Sequence, residues 1–240
     1  MIPKVIHYCW FGGKKLPSDV ESCIRSWRKY CPQYKIIRWD ESNYNVKANK
    51  FLKSAYEAEK WAFVSDYARL DIIYNNGGIY LDTDVELIKP LDELLDSEAF
   101  FATTQSEPHQ INTGLGFGAE EKNSMVKKML AEYDNLEFSE KNIGEFVCPS
   151  LNTKPFIVFG YNYTDNVQEI NGVKIYPASY FDPIGKDGVN IKPNTISIHH
   201  YSATWEKPLT RFKRKVAISI GPGIEGKMKK MRRKLNFYKV

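Results

Sequence analysis

Long apolar runs, a secretory leader, paired cysteines and the common nucleotide-binding loops are all missing from this sequence. No uncharged apolar run in its 240 residues approaches the roughly 18 that are needed to span a bilayer. The first residues also lack the layout of a signal peptide, so we expect a protein that is not exported. These absences favour a globular intracellular protein over a membrane-spanning or secreted one.

Cysteine and glycine spacing argues against several kinds of site. The chain has 4 cysteines, with neither a Cys-x-x-Cys pair nor the histidine interleaving of a zinc site. We predict reduced thiols in a cytoplasmic protein, and a Cys23–Cys31 disulfide is the alternative that the spacing allows. No Gly-x-x-x-x-Gly-Lys, Gly-x-Gly-x-x-Gly or Gly-x-Ser-x-Gly motif is present, which argues against P-loop, dinucleotide and serine-hydrolase chemistry.

Positive charge is concentrated at the carboxyl end of the chain. Residues 207–240 hold 12 Lys and Arg and one acidic residue, Glu225, which gives this segment a net charge of +11. Because the whole chain carries +5, residues 1–206 carry −6. We see no internal repeat and no second hydrophobic core. We therefore predict one domain at residues 1–206 and a basic extension at residues 207–240.

The apolar pattern at the start of the chain predicts an α/β fold. Residues 5–10 are typical of a strand, and Ser18 with Glu21 forms the capping-box signature of a helix that should end near Cys31. Residues 34–39 are typical of a second strand. A strand, a helix and a strand within about 40 residues form a βαβ unit, so we expect a mainly parallel sheet flanked by helices.

Further elements are predicted along the rest of the domain. The helix at residues 63–76 is apolar around most of its circumference and should be buried. Residues 148–188 are rich in Pro, Gly and Asn and should be mostly loop with short strands. The last strand, at residues 196–200, should lie in the core. We expect helices at residues 46–59, 63–76, 91–95 and 125–133, and strands at residues 79–81, 85–87, 100–103, 114–118 and 196–200.

Two carboxylates one residue apart follow the predicted strand at residues 79–81. Asp82 and Asp84 would be unfavourable at the end of a buried strand unless positive charge neutralises them. A divalent cation with oxygen ligands, Mn²⁺ or Mg²⁺, would do so and would share its remaining positions with substrate phosphates. An acidic turn that caps the strand is the alternative interpretation.

Other side chains are candidates for the same site. Asp66 and Arg69 lie three apart on the predicted buried helix, where they form either an intrahelical ion pair or a group that binds hydroxyls and phosphate. His199 and His200 are adjacent in a strand, so only one of them can face the acid pair, and either is otherwise a core residue. Trp10 ends the first strand and is by default a core residue, but an open α/β sheet binds nucleotide at this position and an indole could stack on a base.

Four segments in order along the chain carry a family resemblance. They are residues 2–13, Ser-Asp-Tyr-Ala-Arg at 65–69, Gly-Gly-Ile-Tyr-Leu-Asp-Thr-Asp at 77–84, and residues 199–205. Together they resemble the Asp-x-Asp sugar-binding glycosyltransferases of family 32, which include bacterial capsule and lipopolysaccharide transferases, yeast-type mannosyltransferases and the catalytic domains of large clostridial toxins. The resemblance implies a GT-A fold. It also implies transfer of a sugar, with retention of configuration, from a nucleotide-sugar bound through Mn²⁺ or Mg²⁺.

The resemblance also implies roles for the acidic and basic residues. Asp84 corresponds to the direct metal ligand, and Asp82 to the residue that contacts the ribose or a metal-bound water. Asp66 and Arg69 correspond to the residues that hold the donor sugar, with Arg69 also able to reach phosphate.

Aromatic, amide and histidine positions of the family are matched as well. Trp10 corresponds to the base-stacking aromatic, Tyr80 to a donor-site tyrosine, and Asn112 to an asparagine beside the reacting centre. Trp205 corresponds to the indole whose N–H reaches the diphosphate, although many relatives have Ser-Trp where this chain has Thr204-Trp205. Both histidines remain candidate metal ligands: His199 is favoured, and His200 is the alternative.

The basic extension suggests where the enzyme works. Basic residues with interspersed Phe, Met and Leu suit an anionic membrane surface, which would bring the domain to a lipid-linked saccharide acceptor in capsule, O-antigen or lipopolysaccharide synthesis. We therefore expect a cytoplasmic protein at the inner face of the cell membrane. A solvated tail and nucleic-acid binding are the alternatives, and no nucleic-acid partner is expected.

The domain itself leaves two rival functions open. A metal-dependent nucleotide-sugar phosphohydrolase would use the same acid pair but would need no acceptor site. A non-catalytic sugar-nucleotide binding protein is the other alternative. Because no residue is well placed as a nucleophile, we expect a retaining transferase to proceed by same-face attack of the acceptor.

Overall fold

The computed structural model of the chain describes residues 1–185 and 188–201, and a mixed sheet of seven strands is the centre of this part. The strands are β1 (Val5–Cys9), β2 (Lys35–Trp39), β3 (Gly78–Tyr80), β4 (Val85–Leu87), β5 (Ala99–Ala102), β6 (Phe117–Ala119), β7 (Gln168–Ile170), β8 (Val173–Tyr176), β9 (Ile184–Gly185), β10 (Gly188–Val189) and β11 (Ser197–His199). The α-helices are α1 (Ser18–Tyr30), α2 (Lys50–Glu57), α3 (Trp61–Asn76), α4 (Ser124–Ala131), α5 (Cys148–Val158) and α6 (Ala178–Phe181), and 3₁₀ helices lie at Asp92–Leu94 and Glu140–Phe146.

The sheet confirms the expected βαβ unit. Its strand order is β2-β1-β3-β6-β5-β8-β7. Strand β1 pairs in parallel with both β2 and β3, β5 pairs in parallel with β8, and β6 and β7 run in the opposite direction. The carboxyl ends of β1 and β3 therefore meet at one edge of the sheet. Trp10 and Asp82 follow these two strands, so both reach that edge.

Helices cover both faces of the sheet, as the sequence predicts. One apolar cluster packs α2, α3, α4 and α5 against one face, and a second packs α1 and α6 against the other. The predicted burial of the helix before the acid pair is confirmed, because Val64, Ala68 and Leu70 of α3 are fully buried. No helix in the described ranges has both the length and the apolar character to cross a membrane.

Two glycines let α3 turn directly into the central strand. Gly77 ends the helix with φ +62° and Gly78 follows with φ +98°, both in the left-handed region that favours glycine. A side chain on Gly78 would place its Cβ 2.8 Å from the carbonyl oxygen of Val5. The Gly-Gly pair therefore allows β3 to lie close to β1 and fixes where the acid pair leaves the sheet.

The starts of two helices differ from the sequence prediction. The capping box was wrong: Pro17 occupies the N-cap of α1 without a side-chain hydrogen bond, and Ser18 already lies inside the helix. Helix α2 begins at Lys50, not at residue 46, because the Asn49 side chain accepts hydrogen bonds from the N–H groups of Phe51 and Leu52.

The prediction of mostly loop at residues 148–188 was wrong in its first part, which forms α5. Pro149 lies in the first turn of this helix, where a missing N–H does no harm, and Pro155 lies inside it. Packing overrides the local preference, because Leu151 and Phe156 are buried against the core. Composition alone could not show this tertiary contribution.

Two predicted strands differ in extent or partner. Residues 114–116 do not belong to a strand, and β6 is confined to Phe117–Ala119. Strand β11 is buried as expected, but it pairs antiparallel with β4 in a separate two-stranded sheet. The 4 cysteines are free thiols, so the Cys23–Cys31 disulfide does not form.

Candidate active site

A cavity of about 780 Å³ lies at the carboxyl ends of β1 and β3. This volume is within the usual range for small-molecule sites. The cavity gathers most of the residues that the sequence singled out, although they come from five different parts of the chain. Its lining includes Trp10, Asp66, Arg69, Tyr80, Asp82, Asp84, Asn112 and His199.

Asp66 and Arg69, which we call the α3 pair, form a buried ion pair that extends beyond their own helix. The Arg69 side chain is 4% exposed, and its Nη2 lies 3.0 Å from Asp66 Oδ1 and 3.1 Å from Asp82 Oδ1. The intrahelical ion pair that the sequence allowed is therefore present, but the same guanidinium also holds the first aspartate of the acid pair. Arg69 Nε donates to the carbonyl oxygen of Ser65 at 3.0 Å, which fixes the orientation of the guanidinium group.

Burial changes the protonation properties of this group. Desolvation raises the pKa of Asp66 to about 6, with Arg69 acting to lower it and Asp82 to raise it further. Desolvation also raises the pKa of Asp82, against the opposing effect of Arg69. Around Arg69 the two carboxylates of Asp66 and Asp82 outnumber the single guanidinium, and Lys14 and Lys15 line another part of the cavity.

Asp82, Asp84 and His199, which we call the acid–histidine group, offer ligand atoms that lie within 4.8 Å of one another. His199 Nε2 lies 3.1 Å from Asp84 Oδ1. Strand pairing explains this proximity, because β11 places His199 opposite Val85, the residue that follows Asp84. Two carboxylates are suitable ligands for Mn²⁺ or Mg²⁺, and the added imidazole fits the transition metal Mn²⁺ better than Mg²⁺, which prefers oxygen ligands.

His200 is not part of this group. Its Nε2 lies 2.8 Å from Glu86 Oε2, and its side chain is 40% exposed. Alternation along β11 therefore turns His199 into the cavity and His200 towards Glu86. The sequence predicted that only one histidine could face the acid pair, and the pairing register selects His199.

His199 retains an unsatisfied atom that bears on metal binding. Burial acts to lower the pKa of His199, but Asp84 raises it by charge and hydrogen bonding, and the net shift is upward. Its Nδ1 is buried and has no hydrogen-bond partner among the residues that the structure describes. A ring nitrogen held beside two carboxylates, with the other nitrogen unpaired, fits a histidine that exchanges its contact with Asp84 for a cation.

The remaining predicted residues take defined positions on the cavity wall. The Trp10 indole N–H donates to the carbonyl oxygen of Lys14 at 2.7 Å. The ring centroid of Tyr80 lies 5.1 Å from Arg69 Cζ, a cation–π distance. Asn112 Oδ1 accepts a hydrogen bond from the N–H of Gly114 at 2.9 Å.

Three residues around the α3 pair were missed by the sequence analysis. Asn152 Nδ2 lies 2.8 Å from Thr113 Oγ1 and 3.0 Å from Cys148 Sγ, and Arg69 Nη1 lies 3.5 Å from Thr113 Oγ1. Cys148 and Asn152 lie on α5, which the composition of that region concealed. The Cys-Pro dipeptide at 148–149, with proline near a helix start, was the available signal.

Two earlier predictions lie outside the described residues. They are the indole of Trp205 and the basic extension at residues 207–240.

Comparisons with known proteins agree with the family resemblance. A family model described as "Glycosyltransferase sugar-binding region containing DXD motif" matches residues 17–101. An uncharacterised glycosyltransferase of Acanthamoeba polyphaga mimivirus is 28% identical over 193 residues, which are 76% of this chain and 74% of that protein. Inositol phosphoceramide mannosyltransferase 1 of Schizosaccharomyces pombe is 31% identical over 118 residues, which are 45% of this chain and only 35% of the yeast protein.

A solved structure supports the fold. The PaToxG glycosyltransferase superposes with a TM-score of 0.51 over 65% of this chain and 69% of that chain, at 16% identity. With a seven-stranded mixed sheet between helices in the described part of the chain, the expected GT-A fold is confirmed.

Proposed function

We propose that this chain, a glycosyltransferase of the DXD-containing family, transfers a sugar from a nucleotide-sugar donor with Mn²⁺ or Mg²⁺ held by the acid–histidine group. One observation carries the proposal: a single cavity joins the acid–histidine group to the buried α3 pair. A nucleotide-sugar has an anionic diphosphate next to a sugar rich in hydroxyls. These are the two kinds of ligand that the two groups would bind.

The arrangement suggests how the donor lies in the cavity. The diphosphate would bind to the cation held by the acid–histidine group, and the base would stack on Trp10. The donor sugar would lie between these points and α3, where Asp66 accepts hydrogen bonds from its hydroxyls and Arg69 donates to it. A UDP-sugar is the proposed donor, on the strength of the family resemblance.

Transfer releases a nucleoside diphosphate whose new negative charge must be stabilised. When bound, the divalent cation would neutralise part of that charge. Arg69 supplies a fixed positive charge, since the neighbouring carboxylates raise its pKa well above the usual value although burial opposes its charge. Tyr80 packs against the guanidinium at a cation–π distance.

If transfer retains configuration, as the family resemblance implies, the ion pairs of the cavity support same-face attack over a carboxylate nucleophile. Asp66 and Asp82 are both ion-paired with Arg69, and Asp84 is paired with His199. Among the described residues of the cavity, each carboxylate is thus already engaged in holding a charged partner. The acceptor hydroxyl, and not a protein carboxylate, is therefore our candidate for the attacking group.

The acceptor and the location are further parts of the proposal. We propose a saccharide acceptor, lipid-linked, in the synthesis of a bacterial capsule, O-antigen or lipopolysaccharide. The yeast relative is by name an inositol phosphoceramide mannosyltransferase, which is consistent with an acceptor that carries a lipid. The charge of residues 207–240 would hold the enzyme at the inner face of the cell membrane.

Donor hydrolysis tests the proposed site. The full chain is incubated with UDP- and GDP-sugars, with and without Mn²⁺, and release of nucleoside diphosphate is measured. We expect slow Mn²⁺-dependent release by the wild-type chain, since water replaces an absent acceptor. Asp84→Asn and His199→Ala should lower this rate at least about 100-fold, because each removes a ligand of the cation that would stabilise the diphosphate charge.

The adjacent histidine provides a matched control. His200→Ala removes the same side chain one residue away, outside the acid–histidine group, and should retain the wild-type rate. Equal activity of Asp84→Asn and wild type would reject the site. Rapid, acceptor-independent turnover by the wild type would instead favour the nucleotide-sugar phosphohydrolase, and donor binding without any turnover would favour the binding protein.

A further inference from the structure

One buried polar atom of the acid–histidine group and one at the end of α6 have no hydrogen-bond partner in the part of the chain that the structure describes. One is Nδ1 of His199, and the other is Oδ1 of Asp182, and neither makes a hydrogen bond within the described ranges. Asp182 is 2% exposed and His199 is 7% exposed, so water does not readily satisfy them. Such orphaned atoms are rare in folded proteins, and each calls for an explanation.

The fold holds Asp182 firmly next to the histidine strand. Asp182 ends α6, and its Oδ2 accepts hydrogen bonds from the backbone N–H of Gln105 at 3.0 Å and from the Tyr201 hydroxyl at 2.6 Å. The backbone N–H of Ile196 donates to the carbonyl oxygen of Tyr180 at 2.8 Å, which ties α6 to the segment entering β11. One carboxylate oxygen is therefore fixed, while the other is left for a further donor.

Tyr201 connects the two residues directly. Its hydroxyl donates to Asp182, and its ring packs edge-on against the imidazole of His199 with centroids 4.1 Å apart. Charge coupling agrees with this proximity: Asp182 acts to raise the pKa of His199, and His199 acts to lower that of Asp182.

We infer that Asp182 is a positioning residue for the metal site, whose free Oδ1 accepts the Nδ1–H of His199 when His199 Nε2 binds the cation. A neutral imidazole that ligates through Nε2 must carry its hydrogen on Nδ1. That N–H is buried here and needs an acceptor, and Oδ1 of Asp182 is an acceptor without a donor among the described residues. Metal-binding histidines commonly rely on such a carboxylate to fix the ring and the position of its hydrogen.

The inference rests on the proposed metal site, and Mn²⁺ binding without donor tests it. The affinity of the full chain for Mn²⁺ is measured by calorimetry or by the paramagnetic resonance of free Mn²⁺. Asp182→Asn should lower this affinity about 10- to 100-fold. The amide can still accept from Gln105, but its NH₂ then faces Nδ1 as a donor and favours the ring form that cannot bind metal through Nε2.

A double-mutant cycle distinguishes positioning from a general structural role. In a His199→Ala background, Asp182→Asn should cause no further loss of Mn²⁺ affinity, because the residue through which it acts is gone. Asp96→Asn, at an exposed position, controls for the loss of one negative charge and should leave the affinity unchanged. Tyr201→Phe keeps the ring beside His199 and removes only the hydroxyl, so it should cause a smaller loss.

Each result has a defined meaning. Equal losses from Asp182→Asn in both backgrounds, or no loss in either, would overturn this inference while leaving the metal site intact. Wild-type protein that binds no Mn²⁺ would overturn both the inference and the proposed metal site. Circular dichroism of each variant monitors folding, and if Asp182→Asn does not fold, the cycle of Tyr201→Phe with His199→Ala decides in the same way.

Discussion

Gly114 lies against the centre of the site and leaves no room for a side chain. A Cβ built on it would lie 2.6 Å from Asp82 Oδ2 and 3.1 Å from both Arg69 Nη1 and Asn112 Oδ1. Its φ is outside the left-handed region, so alanine does not strain the backbone itself. Substitution would therefore act on the site and not on the turn.

We predict that Gly114→Ala lowers Mn²⁺-dependent donor hydrolysis by at least about 10-fold while the fold is retained. The new methyl group would push the Asp82 carboxylate away from Arg69, and displacements near 1 Å can reduce rates about 100-fold. Turnover and the thermal melting temperature are measured together. Gly144→Ala is the matched control, since nothing lies within 4 Å of a Cβ there. A wild-type rate in Gly114→Ala would show that the position of Asp82 is unimportant.

At the residue scale, local spacing predicted the charged part of the site. Asp66 and Arg69 are brought together by helix geometry, and Asp82 and Asp84 by their places in the short turn between β3 and β4. Asp182 could not be predicted in this way, because its relation to the histidine strand depends on how α6 packs against β11.

At the scale of elements, the neutral imidazole of His7 on β1 makes hydrogen bonds to β2 and to the end of α3. The Trp39 indole N–H on β2 donates to His7 Nδ1 at 3.0 Å, and His7 Nε2 donates to the carbonyl oxygen of Gly77 at 3.0 Å. An indole nitrogen can only donate, so Nδ1 must be the acceptor and the hydrogen must lie on Nε2. Protonation of Nδ1 would break the bond to β2.

We predict that His7 makes the protein less stable as the pH falls. Burial lowers the pKa of His7 from 6.5 to about 4, although the Gly77 carbonyl acts to raise it. Between these values the unfolded chain binds a proton that the folded chain does not. The free energy of unfolding therefore loses nothing to His7 above pH 6.5. As the pH falls from 6.5 to 4, it decreases by on the order of 3 kcal/mol because of His7.

Denaturant unfolding of wild type and His7→Gln between pH 7 and pH 4 measures this contribution as the difference between the two curves. Taking the difference also removes the contribution of Asp66, which has the opposite sign because its pKa is raised to about 6. An imidazole pKa near 6.5 for His7 in the folded protein, read from its nuclear magnetic resonance titration, would contradict the prediction.

Elements with a strong pattern could be predicted, and elements that depend on packing could not. The first βαβ unit and the buried helix α3 follow from apolar periodicity and from the Gly-Gly break at residues 77–78. The reversed direction of β6 and the separate pairing of β11 with β4 depend on contacts between residues that are far apart in the sequence. Local sequence patterns do not predict such contacts. Helix α5 forms against its own composition because the core covers Leu151 and Phe156.

At the scale of the whole molecule, the two parts of the chain carry net charges of opposite sign. Residues 1–206 carry −6 and residues 207–240 carry +11. An anionic membrane would repel the first part and attract the second, each basic residue near the surface contributing roughly 1 kcal/mol. Any attraction of the enzyme to such a membrane should therefore depend on residues 207–240 and weaken with salt.

Liposome flotation tests this dependence. We predict that the full chain floats with vesicles rich in phosphatidylglycerol, stays at the bottom with pure phosphatidylcholine, and is released from the anionic vesicles by high salt. A chain that ends at residue 206 should not float, because only its net negative charge remains, and it should retain donor hydrolysis if the site has folded. Replacing the basic residues at 227–234 with glutamine keeps the length of the extension and should weaken flotation in proportion to the charge removed. Equal flotation of the full and shortened chains would reject the membrane role, and tight binding of RNA by the extension without flotation would favour the nucleic-acid alternative.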